Sequence, residues 1–593
     1  MWLWSPTIPG MTEWPSRSSR SAPDGTSTSP AAPTLSIRFP RMTMVCPERA
    51  GPPVPSNRST FSSATTGAET LRWDRTSSER ASRSCAAVWP RPNRGAASAD
   101  RNARRSHAPR RDAPSGMMFS LCRVVIFLSV DAVGRAGKTR TPRDAVADAG
   151  GHIVRAARVL FVLGWIMAIF APLAAQERWL AIEGGTVFDG TGAIHENATV
   201  LVRGDRVERI GPAGQVEIPA GAQRIDAAGK FLTPGFIDLH FHYSPGPHAS
   251  IDGTGTDANP ELPLLFLANG VTTLREMGQW IRDNEDWLGT VEARELPAPR
   301  LLYSGPILDG FNTAYPTISR VLLDEMDARI AANELMDRGA TSLKVYFRLS
   351  LAQVAAVIEE ADRRNVPVHG HLEIVDPVAA IRLGLDGIEH TRSLGRALVA
   401  PKQAEEFRQA VLRESIHRGQ GGFALWAALD PAGPRADALI DLMLERNVNL
   451  DGTLAVFEPE FGEEGREVQW AAMRNMAALT VRYAKAGGPV TMGSHGLVAN
   501  APPGLAFQRE MESHVEAGMT PAETLISATR TGAEALRLSD RGTLAHGMLA
   551  DIVLFDASPL ENIANARRVH AVILGGRVLD RDRLLASAGG LVP

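Results

Sequence analysis

Residues 324–347 read Asp-Glu-Met-Asp-Ala-Arg-Ile-Ala-Ala-Asn-Glu-Leu-Met-Asp-Arg-Gly-Ala-Thr-Ser-Leu-Lys-Val-Tyr-Phe, and their hydrophobic period changes once. Over Asp324–Asp337 the large apolar residues Met326, Ile330, Leu335 and Met336 fall along a helical face, the run stops at Gly339, and Leu343-Lys-Val-Tyr-Phe is β-rich. A helix that feeds a strand is expected. The unit then repeats: Ser350 can cap a helix from Leu351 to Arg364, which gives way at Asn365 to Val366-Pro-Val-His, and Asp376 opens a helix to Leu383 before Gly387-Ile-Glu-His. Repeated αβ units predict an α/β fold with a parallel sheet. About 300 residues of them suit a closed (β/α)8 TIM-type barrel better than an open sheet.

Outward from this segment the texture changes. Leu180 to Ile225 holds short alternating runs (Thr186-Val-Phe-Asp, Thr199-Val-Leu-Val, Val207-Glu-Arg-Ile), and the C-terminal part repeats the pattern in Asp551-Ile-Val-Leu-Phe-Asp and Val569-His-Ala-Val-Ile-Leu. These strand sets are expected to pair into a small composite β-domain. The expected organisation is β-domain, first part, at 176–232, barrel at 233–540, and β-domain, second part, at 541–593.

The N-terminal region is chemically different. Of 63 Lys+Arg and 66 Asp+Glu, residues 1–158 hold 24 and 11, which leaves 39 and 55 for the remainder. The net charge of −3 thus averages a basic and an acidic part. Residues 1–158 are rich in Arg, Ser, Pro and Ala without apolar periodicity, and read as a disordered or spurious extension. Their positive charge is diluted among prolines, so no nucleic-acid partner is expected. Val159 to Ala175 carries no charge, follows Arg155 and Arg158, and ends Leu-Ala-Ala, the layout of a signal peptide. Cleavage after Ala175 would make the protein periplasmic or secreted. An uncleaved leader is the alternative, and the sole expected membrane link. Cys46, Cys85 and Cys122 all precede the leader, so a metal in the remainder would need His, carboxylate or a modified side chain.

The chemistry-bearing residues sit at strand ends. His240 and His242, one residue apart after Gly235-Phe-Ile-Asp-Leu, face one side and can bind one ion. Lys344, His369, His390 and His495 each fall within or at the end of an expected strand, where barrels build their sites. His371 shares the face of His369, and Tyr346 that of Lys344.

Thr233-Pro-Gly-Phe-Ile-Asp-Leu-His-Phe-His, Gly270-Val-Thr-Thr-Leu-Arg, the Lys344, His369 and His390 strands, and Gly547-Met-Leu-Ala-Asp-Ile-Val-Leu-Phe-Asp together resemble the metal-dependent amidohydrolase superfamily, in its imidazolonepropionase-like or prolidase-like branch. The resemblance implies a (β/α)8 barrel with a small β-domain and two divalent ions, taken as zinc. It implies that His240 and His242 bind the more buried ion, that His369 and His390 bind the other, and that Lys344 bridges them as a CO2-derived carbamate. His371 is either a ligand in place of His369 or a substrate contact, and Tyr346 and Arg348 are further substrate-binding candidates.

One departure matters. On strand 8 the family carries an aspartate that takes the proton from the nucleophilic water, whereas here Pro489-Val-Thr-Met-Gly-Ser-His-Gly puts His495 in its place. A neutral imidazole leaves the centre one unit more positive, favours anionic substrates, and can still act as a base near neutrality. His495 is expected to take the catalytic role beside Lys344. The competing readings are a weakened site, a single metal, or a nearby acid such as Glu276 or Glu510. The resulting expectation is an exported hydrolase of C–N bonds in dipeptides or N-acyl amino acids, acting through a metal-bound hydroxide on small molecules, with oligomeric state open. A one-metal deaminase and a degenerate barrel kept as a binding protein are the alternatives.

Overall fold

The computed structural model describes residues 177–244 and 259–588. The extension expected over 1–158 and the leader expected over 159–175 lie outside these residues. Among the described residues no helix is long and apolar enough to cross a membrane.

The chain opens with β1 (Trp179–Phe188), β2 (Ile194–Arg203), β3 (Arg206–Pro212), β4 (Gln223–Asp226) and β5 (Phe231–Pro234). Two parallel sheets follow. β6 (Phe236–Phe241), β7 (Val271–Glu276) and β8 (Arg300–Tyr303) form one in that order. The second contains β9 (Ile307–Asp309), β10 (Ser319–Val321), β11 (Leu343–Val345), β12 (Val368–Gly370), β13 (Gly387–Glu389), β14 (Asn449–Asp451) and β15 (Val490–Thr491), ordered β10-β9-β11-β12-β13-β14-β15. Leu239 N–H donates to the Met492 carbonyl and Thr341 N–H to that of Tyr303, both at 3.0 Å, so backbone bonds run from β6 to the end of β15 and from β8 to the approach of β11. Every residue of β6 and β7 is buried, as expected of parallel strands covered on both faces.

β16 (Ile552–Phe555), β17 (Val569–Leu574) and β18 (Arg577–Val578) complete the strands. β16 lies antiparallel between β17 and β5, and the sheet order β18-β17-β16-β5-β1-β2-β3 draws on both ends of the described chain.

Local sequence sets the helix boundaries. Ser350 accepts from Gln353 N–H at 3.2 Å while the Gln353 side chain accepts from Ser350 N–H at 2.9 Å, a reciprocal cap that starts the helix Leu351–Arg363. Asp376 caps Pro377–Arg382 through the N–H groups of Val378 and Ala379. The face of the helix Glu325–Asp337 differs from expectation. Met326 and Ile330 are 64% and 47% exposed, while Ala328, Ala331, Ala332, Leu335 and Met336 are buried. Small side chains let this helix lie close against Leu351–Arg363, so the buried stripe combines three alanines with Leu335 and Met336, two of the four residues expected on that face.

Candidate metal centre

The strand register brings the polar residues to one end of the parallel sheets. Lys344 pairs with His369, His369 with Gly387, and Glu389 with Asp451, which pairs in turn with Thr491. Neighbours in parallel register point the same way, so these side chains share a face.

Three candidates converge closely. His240 Nε2 lies 3.1 Å from His242 Nε2 and 3.3 Å from Lys344 Nζ, all three side chains being buried. His240 Nδ1 is 2.5 Å from Glu389 Oε2 and His242 Nδ1 is 3.5 Å from Glu276 Oε1. The Glu389 carboxylate behind His240 keeps that imidazole's proton on Nδ1 and leaves its Nε2 lone pair facing His242 and Lys344, whereas His242 Nδ1 has no hydrogen-bond partner. Burial and then Lys344 hold both imidazoles well below the ordinary histidine range, so they are neutral lone-pair donors. Two such donors side by side in a dry pocket fit a divalent cation.

His390 and His495 close the cluster. The ligating atoms of His240, His390 and His495 lie within 4.8 Å of one another, and the His495 ring stacks 5.3 Å from that of His240. Both residues adopt left-handed backbone, φ 62° for His390 and 64° for His495. For non-glycine residues this conformation is strained, and such strain concentrates where a side chain must be aimed. His390 Nδ1 is 2.5 Å from Thr453 Oγ1, and His495 N–H donates to the His240 carbonyl at 2.6 Å.

His369 in β12 and His371 just after it part company. His369 Nδ1 lies 2.8 Å from Glu389 Oε1, against the partner of His240. The His371 ring is instead 4.6 Å from the His390 and Tyr346 rings, its Nε2 is 3.0 Å from Arg418, and its Nδ1 is buried without a hydrogen-bond partner. Arg348 turns away, donating to Ser415 Oγ at 2.6 Å and to the Val411 carbonyl at 3.3 Å.

Lys344 is the one buried ammonium of the cluster. Burial pushes it down to about 8, with Glu389 and Glu276 opposing the shift. Burial raises Asp238 and Glu276 to about 7. Glu276 also accepts from the N–H groups of Gly278 and Gln279, at 3.1 and 2.8 Å.

Sequence patterning leaves four neighbours unmarked. Glu389 ties His240 to Arg275, whose Nη2 is 2.6 Å from Glu389 Oε1. Burial alone would push the Glu389 carboxyl up, but Arg275 and His240 override it and hold it well below the carboxylate range. Asp451 has a donor atom within 4.8 Å of those of His240 and Glu389. Arg418 reaches the cluster from 47 residues beyond His371. Glu389, in Gly387-Ile-Glu-His, could have been found from its place beside His390. Nothing local marks Arg418.

Known proteins agree with this architecture. The chain is 26% identical over 439 residues to an imidazolonepropionase of Anaeromyxobacter dehalogenans, covering 64% of this chain and 90% of that protein. It is 25% identical over 476 residues to a D-aminoacylase of Alcaligenes xylosoxydans xylosoxydans, covering 67% and 93%. A solved Xaa-Pro dipeptidase with methionine bound in its active site has the same fold, with a TM-score of 0.52 and 18% identity over 68% of this chain and 99% of that one. The Amidohydrolase family model matches residues 231–579, more than half of the sequence, and the chain therefore belongs to the amidohydrolase family of metal-dependent hydrolases acting on C–N bonds.

Proposed function

We propose that this protein hydrolyses the amide bond of small carboxylate-bearing substrates, dipeptides or N-acyl amino acids, outside the cytoplasm. The placement of His242 Nε2 and Lys344 Nζ at 3.1 and 3.3 Å from His240 Nε2, with all three side chains buried, carries the reading. Two zinc ions would supply Lewis acidity and an ionised water there at neutral pH. His240 and His242 would hold one ion, Lys344 as a carbamate would contribute an anionic oxygen, and His390 with His369 or His371 would hold the other. His369 suits that last place better than His371, because its Nε2 is buried without a hydrogen-bond partner while its Nδ1 faces Glu389, whereas His371 Nε2 accepts from Arg418 and so keeps its proton on Nδ1. His495, half-buried and aimed by its left-handed backbone, would hold the proton that an aspartate otherwise takes.

The proposed architecture follows the same lines. The two parallel sheets form one (β/α)8 barrel over 233–540, supported by the backbone bonds that join them. Strands from 176–232 and 541–593 form a composite β-domain, supported by the pairing of β16 with β5. Cleavage after Ala175 would make Gln176 the first residue of the exported protein. N-terminal sequencing tests that directly.

A one-metal deaminase is the second reading, favoured by the compact His240, His390 and His495 group. One experiment separates the two. The protein is purified with zinc and bicarbonate, its zinc per chain is measured, and it is assayed on dipeptides, N-acyl amino acids and amino-purines alongside Lys344→Ala. About two zinc ions that fall on Lys344→Ala, with amide hydrolysis, support the hydrolase. One ion unaffected by the substitution, with ammonia release, supports the deaminase.

A further inference from the structure

Four buried residues directly after β14, Gly452-Thr-Leu-Ala, run beside His390. Thr453 sits at φ 44°, the one β-branched side chain among the described non-glycine residues with positive φ. Left-handed backbone crowds a branched Cβ against the carbonyl that follows, so the surroundings and not local preference hold this conformation. Strain of this kind persists where a side chain has to be aimed. The Thr453 side chain is aimed at His390, with Oγ1 2.5 Å from His390 Nδ1.

The helix Ala506–Ala517 clamps this turn from one side. Glu510 accepts from the N–H groups of Leu454 and Ala455 at 2.8 and 2.7 Å, one oxygen for each. His514, one helical turn further along, donates from Nδ1 to the Glu510 carbonyl at 2.9 Å, which sets its ring against Gly452. A Cβ at position 452 would come within 2.9 Å of His514 Nε2, so a side chain there is excluded while His514 keeps its place. From the other side, the Gly452 carbonyl accepts from Thr391 N–H at 3.3 Å, which ties the turn to the residue that follows His390. The backbone of Thr453 cannot relax without giving up these bonds.

The hydrogen bonds fix the place of one proton. Thr453 Oγ1 lies 2.8 Å from the Gly452 carbonyl oxygen, which has no hydrogen to give, so the single hydroxyl hydrogen belongs to that bond. Toward His390 the hydroxyl oxygen then offers only a lone pair, and the contact at 2.5 Å requires the proton on Nδ1. A neutral ring protonated at Nδ1 keeps its lone pair on Nε2, the form in which it can bind a cation. Without the hydroxyl nothing holds the proton on Nδ1, and the tautomer that carries it on Nε2 is closed to a metal.

We propose that Thr453 is a positioning residue of the metal centre: its strained turn, clamped by Glu510 and His514, holds His390 in the Nδ1–H tautomer that leaves Nε2 free for an ion. This rests on the metal-centre reading. It applies whether the centre takes one ion or two, since His390 belongs to the compact group with His240 and His495 as well as to the two-metal arrangement. Glu389 acts on His240 as an anion, whereas Thr453 acts on His390 through a neutral acceptor and adds no charge.

Three substitutions separate the hydroxyl from its scaffold. Thr453→Val keeps the branch at Cβ and adds no backbone strain that threonine lacks, Thr453→Ser keeps the hydroxyl, and Thr453→Ala removes it without bulk in case the valine variant does not fold. Zinc affinity is measured by competition with a chromophoric chelator, and melting curves of the zinc-free proteins establish that each is folded. The expected result is one zinc equivalent weakened about 10–100-fold in Thr453→Val and Thr453→Ala, and restored in Thr453→Ser. A folded Thr453→Val or Thr453→Ala protein that binds zinc as tightly as the wild type overturns the proposal. So does a Thr453→Ser protein weakened as much as Thr453→Val, because the hydroxyl is then not the group that matters. Nitrogen NMR of the histidine-labelled, zinc-free proteins reads the tautomer directly, with the His390 signal identified by its absence from His390→Gln. An Nδ1–H form in the wild type and Thr453→Ser that is lost in Thr453→Val supports the proposal, and an Nε2–H form in the wild type overturns it. A wild-type protein that shows the Nδ1–H form and binds no zinc defeats the metal-centre reading instead.

Discussion

Glu389→Gln probes the carboxylate behind the metal centre. Glu389 Oε2 is 2.5 Å from His240 Nδ1, and Oε1 is 2.6 Å from Arg275 Nη2 and 2.8 Å from His369 Nδ1, all with fully buried side chains. Two separate losses follow from neutralising it. The Arg275 guanidinium is left as an uncompensated buried charge, which costs about 3 kcal/mol of folding stability, the lower end of the range because glutamine keeps the shape and one acceptor. His240 loses the anion that fixes its tautomer and raises its basicity, which weakens zinc roughly 10–100-fold, or about 1.4–2.7 kcal/mol. Arg275→Met/Glu389→Gln separates the two, since removing both charges restores stability to within about 1 kcal/mol while His240 still lacks its carboxylate. Denaturant unfolding of the zinc-free proteins measures the first loss, and competition with a chromophoric chelator the second. A folded double variant that binds zinc as tightly as the wild type would refute the reasoning.

Three further outcomes are expected. His369→Ala should lose about one zinc equivalent, whereas His371→Ala should keep its zinc; the reverse pattern would move the ligand role to His371. His495→Asp makes the centre one unit less positive and should reduce turnover of carboxylate substrates, so a large gain in hydrolysis at unchanged zinc content would mean that His495 disables the site. Burial pushes Glu510 up to about 8 even though it accepts from the N–H groups of Leu454 and Ala455 at 2.8 and 2.7 Å. A folded value raised above the unfolded one, about 4.3, gives a contribution that is complete below pH 4.3 and lost as pH rises through 8, at most about 1.4 kcal/mol per pH unit. Glu510→Gln should therefore flatten the fall of Tm between pH 5 and 8, and an unchanged slope counts against that assignment.

The sequence by itself determined where the elements begin and end and which strand ends carry histidines. Capping residues, strand-like runs and the His-x-His spacing act over a few residues, so Ser350, Asp376, His240 and His242 could be read without knowing what lies opposite. The choice of helix face could not be read that way. Met326 and Ile330 are as apolar as a core residue, yet they are exposed while Ala328, Ala331 and Ala332 beside them are buried. The same holds around the metal centre. His369 and His371 share one strand face, and only the depth of Glu389 on one side and His390 on the other distinguishes them. Arg418 is the extreme case, an arginine in a connection with no motif, carried to Tyr346 and His371 by helices anchored through Arg392 and Gly422. Short-range patterning selected the residue types that can do metal chemistry. Long-range packing decided which of them meet, because charge balance and distance across strands exist only once the chain is folded.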